Sequence, residues 1–370
     1  MPGNQAPEIE RYQFGGLLNS PKPLIERLQP FIRLNDGNKM PLLGLGTWNA
    51  QGKELKDVVK SAIHAGYRHI DTATNYRNEH LVGEAIAECI EDRVVDRKDL
   101  FVCTKLWNNS HSRASVPIAL KKSLEALRLN YVDLYLIHYP IGYEEGDTLS
   151  PLDSNGQVKT SEVDYIDTWR GMEDVKMLGL AKSIGVSNFN ASQLKRILRN
   201  CTLVPAINQV SSARYIKVMI IDKDPSCNSE LISIPKLKVE CHPYLNQAKL
   251  LQFCRPNGIE LTAYSPLGSP GRINPNSQEP LLIDDPVVKS LAKAHRRHPA
   301  QILIRYQIQR NVVVIPKAIQ KAHLESNLEA LNFELSREEI LQLDNLNMGH
   351  RYMKFERCLN HKYYPFNDEF

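Results

Sequence analysis

Short apolar runs alternating with amphipathic stretches constrain this chain more than any other feature. Eight runs have strand length and composition: Leu42 to Gly46, Arg68 to Asp71, Leu100 to Lys105, Val132 to His138, Ala181 to Ser187, Pro205 to Val210, Glu260 to Tyr264 and Val312 to Ile315. Lys53 to Ala65, Glu79 to Ala87, Val116 to Leu127, Asp167 to Leu178 and Ser192 to Asn200 carry apolar residues at three- and four-residue spacing, as helices with one buried face do. Eight strands with helices between them is the count of a (β/α)8 TIM barrel. A doubly wound sheet would need a third glycine after Gly44 and Gly46 at the dinucleotide-fingerprint spacing, and none is there. Ahead of the first strand, FIRL, the turn residues Asn35-Asp36-Gly37 and the following KMPLLGLG predict a β-hairpin.

With 370 residues and 42% hydrophobic content the chain can bury a barrel-sized core. Residues 1–30, rich in Pro, Asn and Gln and without periodicity, read as a flexible extension; 31–370 read as one barrel interrupted by an insertion at 211–239 after the sixth strand. No apolar run approaches the roughly 20 residues of a membrane span. The N-terminus lacks a basic segment followed by an apolar one, and Glu8, Glu10 and Glu26 argue against a mitochondrial leader, so a cytoplasmic address is expected. A net charge of +4 with interspersed signs points away from nucleic acid. Seven cysteines without a CxxC pair suggest neither a disulfide frame nor a zinc site and are expected to be reduced and buried. His295 and His298 have no acidic or cysteine neighbour in sequence and read as a solvated helix end, so no metal is expected.

In such a barrel the strand ends at the C-terminal face carry the chemistry. The stretch GYRHIDTATNYRNEHLVG puts Asp71 and Tyr76 after the second strand, Lys105 ends the third and His138 the fourth. Taken singly, Asp71 with Lys105 is an ion pair closing the barrel and His138 a core histidine. Together they suit proton donation to a carbonyl oxygen as hydride reaches its carbon. A tyrosine of pKa about 10 donates poorly at neutral pH unless a cation stabilises the phenolate. Lys105 supplies that cation, Asp71 holds Lys105, and His138 orients the carbonyl. A short-chain dehydrogenase would need Lys four residues after Tyr, which no tyrosine here has.

GLGTW, GYRHIDTATNYRNEHLVG, CTKLW, LIHYP, KSIGVSNF, INQV with ECHPYLNQ, TAYSPLGSP, IPKA and HKYYPF occur in this order between Phe31 and Phe370. In these motifs the chain resembles the aldo-keto reductases, in particular the aldose and aldehyde reductases. The resemblance implies a TIM barrel with a C-terminal specificity loop around Arg351 to Leu359. It also implies catalysis by Asp71, Tyr76, Lys105 and His138, and an NADPH site. Ser187, Asn188 and Gln209 match residues that hold the nicotinamide carboxamide, and Tyr264 the aromatic stacked on the ring. Ser265, Leu267 and Ser269 match the pyrophosphate loop, Lys317, His323 and Asn327 the adenosine end, and Thr47 and Trp48 the first strand's contribution. Trp48, Trp107 and Tyr139 would line a hydrophobic pocket for a small carbonyl substrate. A monomer is the usual state of the subgroup.

Several positions depart from the family. Ala318 replaces a Ser, His323 an Arg and Ser326 a Glu, which implies weaker NADPH preference and room for NADH. Asn49 and Gly271 stand where aldose reductases have the Lys and Asp of a cofactor strap, which implies faster cofactor release. The interval 211–239 could form a hairpin, YIKVMII and ELISI about a turn, acting as an accessory lid. The favoured alternative is a translated in-frame intron: removing Val210 to Lys238 restores INQVECHPYLNQ, and a Val-Ser start and Lys end suit splice-site codons. Two functions follow: an NAD(P)H-dependent carbonyl reductase, or a catalytically silent barrel whose nicotinamide pocket the insertion blocks.

Overall fold

The computed structural model describes residues 29–210, 240–269, 279–352 and 358–366. The extension at 1–28, the predicted hairpin within 211–239, Gly271 and the middle of the specificity loop lie outside these residues. Two short strands, β1 (Phe31–Arg33) and β2 (Lys39–Pro41), pair antiparallel as the hairpin. Eight parallel strands follow: β3 (Leu45–Gly46), β4 (His69–Asp71), β5 (Phe101–Leu106), β6 (Val132–Ile137), β7 (Ala181–Ser187), β8 (Ile207–Val210), β9 (Glu260–Ala263) and β10 (Val313–Val314). They hydrogen-bond in sequence order. A parallel bridge between Leu43 and Val314 closes the ring. Across that seam Gly44 N donates to Val314 O at 2.9 Å and Val314 N to Leu42 O at 2.8 Å. The seam requires Gly46, since a Cβ there would lie 2.7 Å from the Ile315 carbonyl oxygen.

The two seam strands are shorter than predicted, Leu45–Gly46 against Leu42–Gly46 and Val313–Val314 against Val312–Ile315. Pro316 cannot donate to the ladder, and only one bridge joins β3's approach to β10. Every residue of β5 and β6 is buried, as expected of parallel strands covered on both faces. Ten α-helices lie among the described residues. α1 (Gly52–Ala65) buries Leu55, Val58, Val59, Ala62 and Ile63 and ends on Gly66 at φ 110, whose N–H returns to Ala62 and Ile63. Its polar side pairs Lys56 with Glu84 at 3.1 Å and Lys60 with Glu88 at 2.8 Å on α2 (Glu79–Glu91). α3 (Ser115–Leu127), α4 (Tyr165–Met177) and α5 (Ala191–Asn200) match the predicted helices to within two residues.

The hairpin covers the N-terminal end of the ring, where Asn38 Nδ2 donates to Ser183 Oγ at 2.9 Å and Asn35 Nδ2 to Pro205 O at 3.0 Å. At the other end the terminal segment is held against α5: Asn190 Nδ2 donates to Pro365 O at 3.1 Å and Gln193 Nε2 to Tyr363 O at 2.9 Å. Five described cysteines are buried and Cys201 is half-buried, all free thiols. His295 and His298 stand at helix ends as expected, His298 exposed, but His295 has an acidic neighbour in space. Glu339 Oε1 lies 2.8 Å from His295 Nε2, and His298 caps α8 (Pro299–Gln309) by accepting from Ala300 N at 3.2 Å. The acid comes from a distant helix, so local sequence could not reveal it. Among the described residues no group of three or more His, Cys, Asp and Glu could hold a metal, and no helix is long and apolar enough to cross a membrane.

Candidate active site

β4 ends in Asp71, β5 carries Lys105 one residue before its end, and His138 follows β6 directly. Adjacent parallel strands in register bring these ends to one face. Lys105 Nζ donates to Asp71 Oδ1 at 2.6 Å and to Thr72 O at 2.8 Å, and the side chains are 0% and 2% exposed. The second carboxylate oxygen, Oδ2, accepts from Gln209 Nε2 at 2.8 Å. Burial disfavours the Lys105 ammonium, but Asp71 outweighs it and holds the pKa above the ordinary lysine value.

Tyr76 ends a single 3-10 turn, Thr74–Tyr76. The Lys105 ammonium lies 5.1 Å from the centroid of its ring. Burial of the phenol pushes its pKa up to about 12, and the nearby ammonium works against that rise. His138 meets the Tyr76 ring edge-on with centroids 5.8 Å apart, meets Trp107 at 5.0 Å and stacks on Tyr139 at 5.3 Å. Burial, aided by Lys105, drives the His138 pKa well below the ordinary value, so the imidazole is neutral. Its Nδ1 is buried without a hydrogen-bond partner. Trp107 is fixed by its indole N–H, which donates to Leu149 O at 2.6 Å.

Beside these four residues, Ser187 Oγ donates to Gln209 O at 2.8 Å, and Asn188 Nδ2 donates to His138 O at 2.7 Å and Ser187 Oγ at 3.0 Å. Tyr264 OH donates to Asn188 Oδ1 at 3.3 Å. Asn188 stands at φ 62, in the left-handed region asparagine tolerates better than most residues. A nicotinamide carboxamide both donates and accepts, and Ser187, Asn188 and Gln209 form one connected set offering both kinds of partner, so these residues fit that group. The following loop is tight: Ser265 and Ser269 have φ of 49 and 48, their hydroxyls hydrogen-bond, and Gly268 N donates to Ser265 O at 2.9 Å.

Residues 42–348 match the Aldo/keto reductase family. The chain belongs to that family. It is 41% identical over 350 residues to Aldo-keto reductase family 1 member A1 of Gallus gallus, covering 92% of this chain and 98% of that protein. Dihydrodiol dehydrogenase 3 of Bos taurus is 43% identical over 345 residues, again covering 92% and 98%. The structure of the aldose reductase from Schistosoma japonicum superposes with a TM-score of 0.80 at 35% identity, over 92% of this chain and all of that one. Carbonyl reduction is the family's chemistry, and the barrel, hairpin and strand-end constellation of this reductase accord with it.

The other predicted site residues spread along the same face. Thr47 is buried, its N and Oγ1 both donating to Asp71 O at 3.1 and 3.0 Å. Trp48 is half-buried. Leu267 packs between two parts of the core. Lys317 Nζ donates to Asn49 O at 2.9 Å, spanning the seam between β10 and the loop after β3. His323 is exposed in the first turn of α9 (Lys321–Leu328), and Asn327 is buried in the same helix.

Sequence reasoning missed four polar residues around this site. Asn78 precedes α2 and so resembles an N-cap, but its Nδ2 donates instead to Thr47 O at 2.9 Å and Ala50 O at 3.0 Å, while Oδ1 accepts from Thr72 Oγ1 at 2.9 Å. Glu79 is buried beneath the Tyr76 turn. Glu240 is fully buried, accepting from Tyr352 N at 2.6 Å, and so ties the chain beyond the 211–239 interval to the C-terminal segment. Arg351, buried with its guanidinium 4.9 Å from the Phe366 ring centroid, has its pKa lowered to about 9 by burial. For Asn78 and Glu79 the only available signal was a polar pair at a helix start.

Proposed function

We propose that this reductase uses NADPH, with NADH as a usable alternative, to reduce small aldehydes or ketones to alcohols. The observation that carries this reading is the convergence of Asp71, Lys105, Tyr76 and His138 on one strand-end face beside Ser187, Asn188 and Gln209. When bound, the nicotinamide supplies the hydride. Tyr76 gives its proton to the carbonyl oxygen, and the ammonium of Lys105 stabilises the phenolate left behind. Asp71 keeps Lys105 charged, and Gln209 and Thr47 keep Asp71 in place. Neutral His138 donates through Nε2 to the same carbonyl oxygen and sets its direction, which requires the tautomer with Nδ1 unprotonated.

Trp48, Trp107 and Tyr139 wall the substrate side, which favours hydrophobic and aromatic carbonyl compounds. At the adenosine end, His323 in place of a permanently charged guanidinium weakens selection for the 2′-phosphate. The enzyme works as a cytoplasmic monomer in this proposal, and gel filtration tests the monomer. The deciding experiment follows NADPH and NADH oxidation with an aromatic aldehyde, using Tyr76→Phe as control. Turnover by the native chain with a loss of about 10²–10⁴-fold in kcat for the Phe variant supports the proposal. No turnover with either cofactor overturns it.

A further inference from the structure

Behind the Tyr76 turn a buried carboxyl begins a chain of hydroxyl groups that ends on the catalytic lysine's backbone. Glu79 Oε1 lies 2.5 Å from Thr104 Oγ1, and its Oε2 lies 3.2 Å from Ser123 Oγ. Ser123 Oγ lies 3.1 Å from Thr74 Oγ1, which lies 3.0 Å from the Lys105 carbonyl oxygen. Glu79, Ser123 and Thr104 are buried and Thr74 is half-buried.

The last link has a clear purpose. Along β5 the carbonyl of Cys103 faces β4 and accepts from Thr72 N at 2.9 Å, while that of Leu106 faces β6 and accepts from His138 N at 3.1 Å. Strand alternation turns the Lys105 carbonyl toward β4, beyond the point where β4 has ended. Thr74 Oγ1 replaces the missing ladder amide, and a buried carbonyl left without a donor costs about 1–3 kcal/mol. Because Thr74 opens the turn that ends in Tyr76, this bond ties the position of Tyr76 to that of Lys105.

Proton counting then fixes the state of the acid. The chain has four contacts: Thr104 with Glu79, Glu79 with Ser123, Ser123 with Thr74, and Thr74 with the Lys105 carbonyl. Three hydroxyl groups bring three protons. An ionised Glu79 can only accept, so one contact then has two lone pairs facing each other. A neutral Glu79 gives its proton to Ser123, which donates to Thr74, which donates to the Lys105 carbonyl.

We infer that Glu79 is a positioning residue, held protonated in the folded enzyme, whose proton sets the direction of the chain and so fixes the Thr74–Tyr76 turn on Lys105. Burial raises the Glu79 pKa above the ordinary carboxylate value. Among the described residues the titratable groups facing it are Lys105 on β5, which opposes that rise, and Tyr135 on β6, whose own pKa burial and Glu79 raise. This inference rests on the proposed role of Tyr76.

The test compares the native chain with Glu79→Gln, Thr74→Val and Tyr76→Phe. An amide at 79 donates to Ser123 and accepts from Thr104, so Glu79→Gln keeps all four contacts. It should retain kcat within about twofold. The fall in native kcat as Glu79 loses its proton on the alkaline side should be absent from this variant. Infrared difference spectra of native against Glu79→Gln should show a buried carboxylic-acid carbonyl stretch at neutral pH. Thr74→Val should lower kcat about tenfold at every pH with cofactor affinity unchanged. A carboxylate band at position 79 overturns the inference, as does an alkaline limb identical in native and Glu79→Gln. If Tyr76→Phe stays active, the functional proposal itself has failed. If Tyr76→Phe is dead but Thr74→Val matches the native kcat, only this inference has.

Discussion

Lys105→Met removes the cation proposed to stabilise the Tyr76 phenolate, and the structure sets the size of the effect. The ammonium lies 5.1 Å from the phenol ring centroid. At an effective dielectric of about 20 a unit charge at that range is worth about 3 kcal/mol, or two to three orders of magnitude in rate if the phenolate is fully formed at the barrier. The same change strands Asp71, 2% exposed, with Gln209 as a remaining donor. Breaking a buried pair from one side costs about 3–5 kcal/mol, which lowers Tm by on the order of 10 °C. The two losses separate in the double variant Asp71→Asn/Lys105→Met. Replacing both charges by neutral groups of similar size should restore most of the stability but none of the rate. Steady-state oxidation of NADPH with an aromatic aldehyde, alongside calorimetry, measures both. The reasoning fails if Lys105→Met keeps kcat within about threefold, or if the double variant recovers rate together with Tm.

Three further outcomes are expected. His323→Arg should tighten NADPH binding about tenfold and leave NADH unchanged, read by fluorescence titration, because the exposed first turn of α9 then carries a permanent charge. Burial holds the His69 pKa down at about 4, so the folded state keeps the ring neutral while the unfolded chain protonates it near 6.5. That stabilisation is complete above about pH 6.5 and is lost as pH falls toward 4, on the order of 3 kcal/mol in denaturant titrations, and His69→Phe should flatten that slope. Removing Val210 to Lys238 should leave Tyr76-dependent turnover intact, since the proposed catalytic residues lie on β4 to β6 and their loops; an inactive shortened chain would show that the interval is needed, and cDNA sequenced across it shows whether the long form is the expressed one.

Much of the fold and the centre of the site could be read from the sequence for one physical reason: the strands are short, largely buried runs, and several end at or beside a polar residue. FVCTKL is buried along its length, and a lysine in such a run demands a partner. That demand led to Asp71. It did not lead to Gln209, because nothing in INQV says which of its polar side chains points along the barrel axis, and the Gln209–Asp71 bond spans 138 residues of chain. The seam was hard to read for a related reason, since β3 and β10 are two residues each and are held by a bridge and a glycine more than by apolar content.

Glu79 shows where this kind of inference stops. An acidic residue opening a helix is favoured by the helix dipole, so Asn78-Glu79 reads as an ordinary start to α2. Its buried carboxyl is met by two hydroxyls on other elements, Thr104 on β5 and Ser123 on α3, and through Ser123 by Thr74 in the Tyr76 turn, none of which is unusual in its own segment. Residues that touch the reacting atoms must be of particular chemical types and leave a local trace. Residues that hold them in place need only complete a count of donors and acceptors, and that count exists only once the strands have closed.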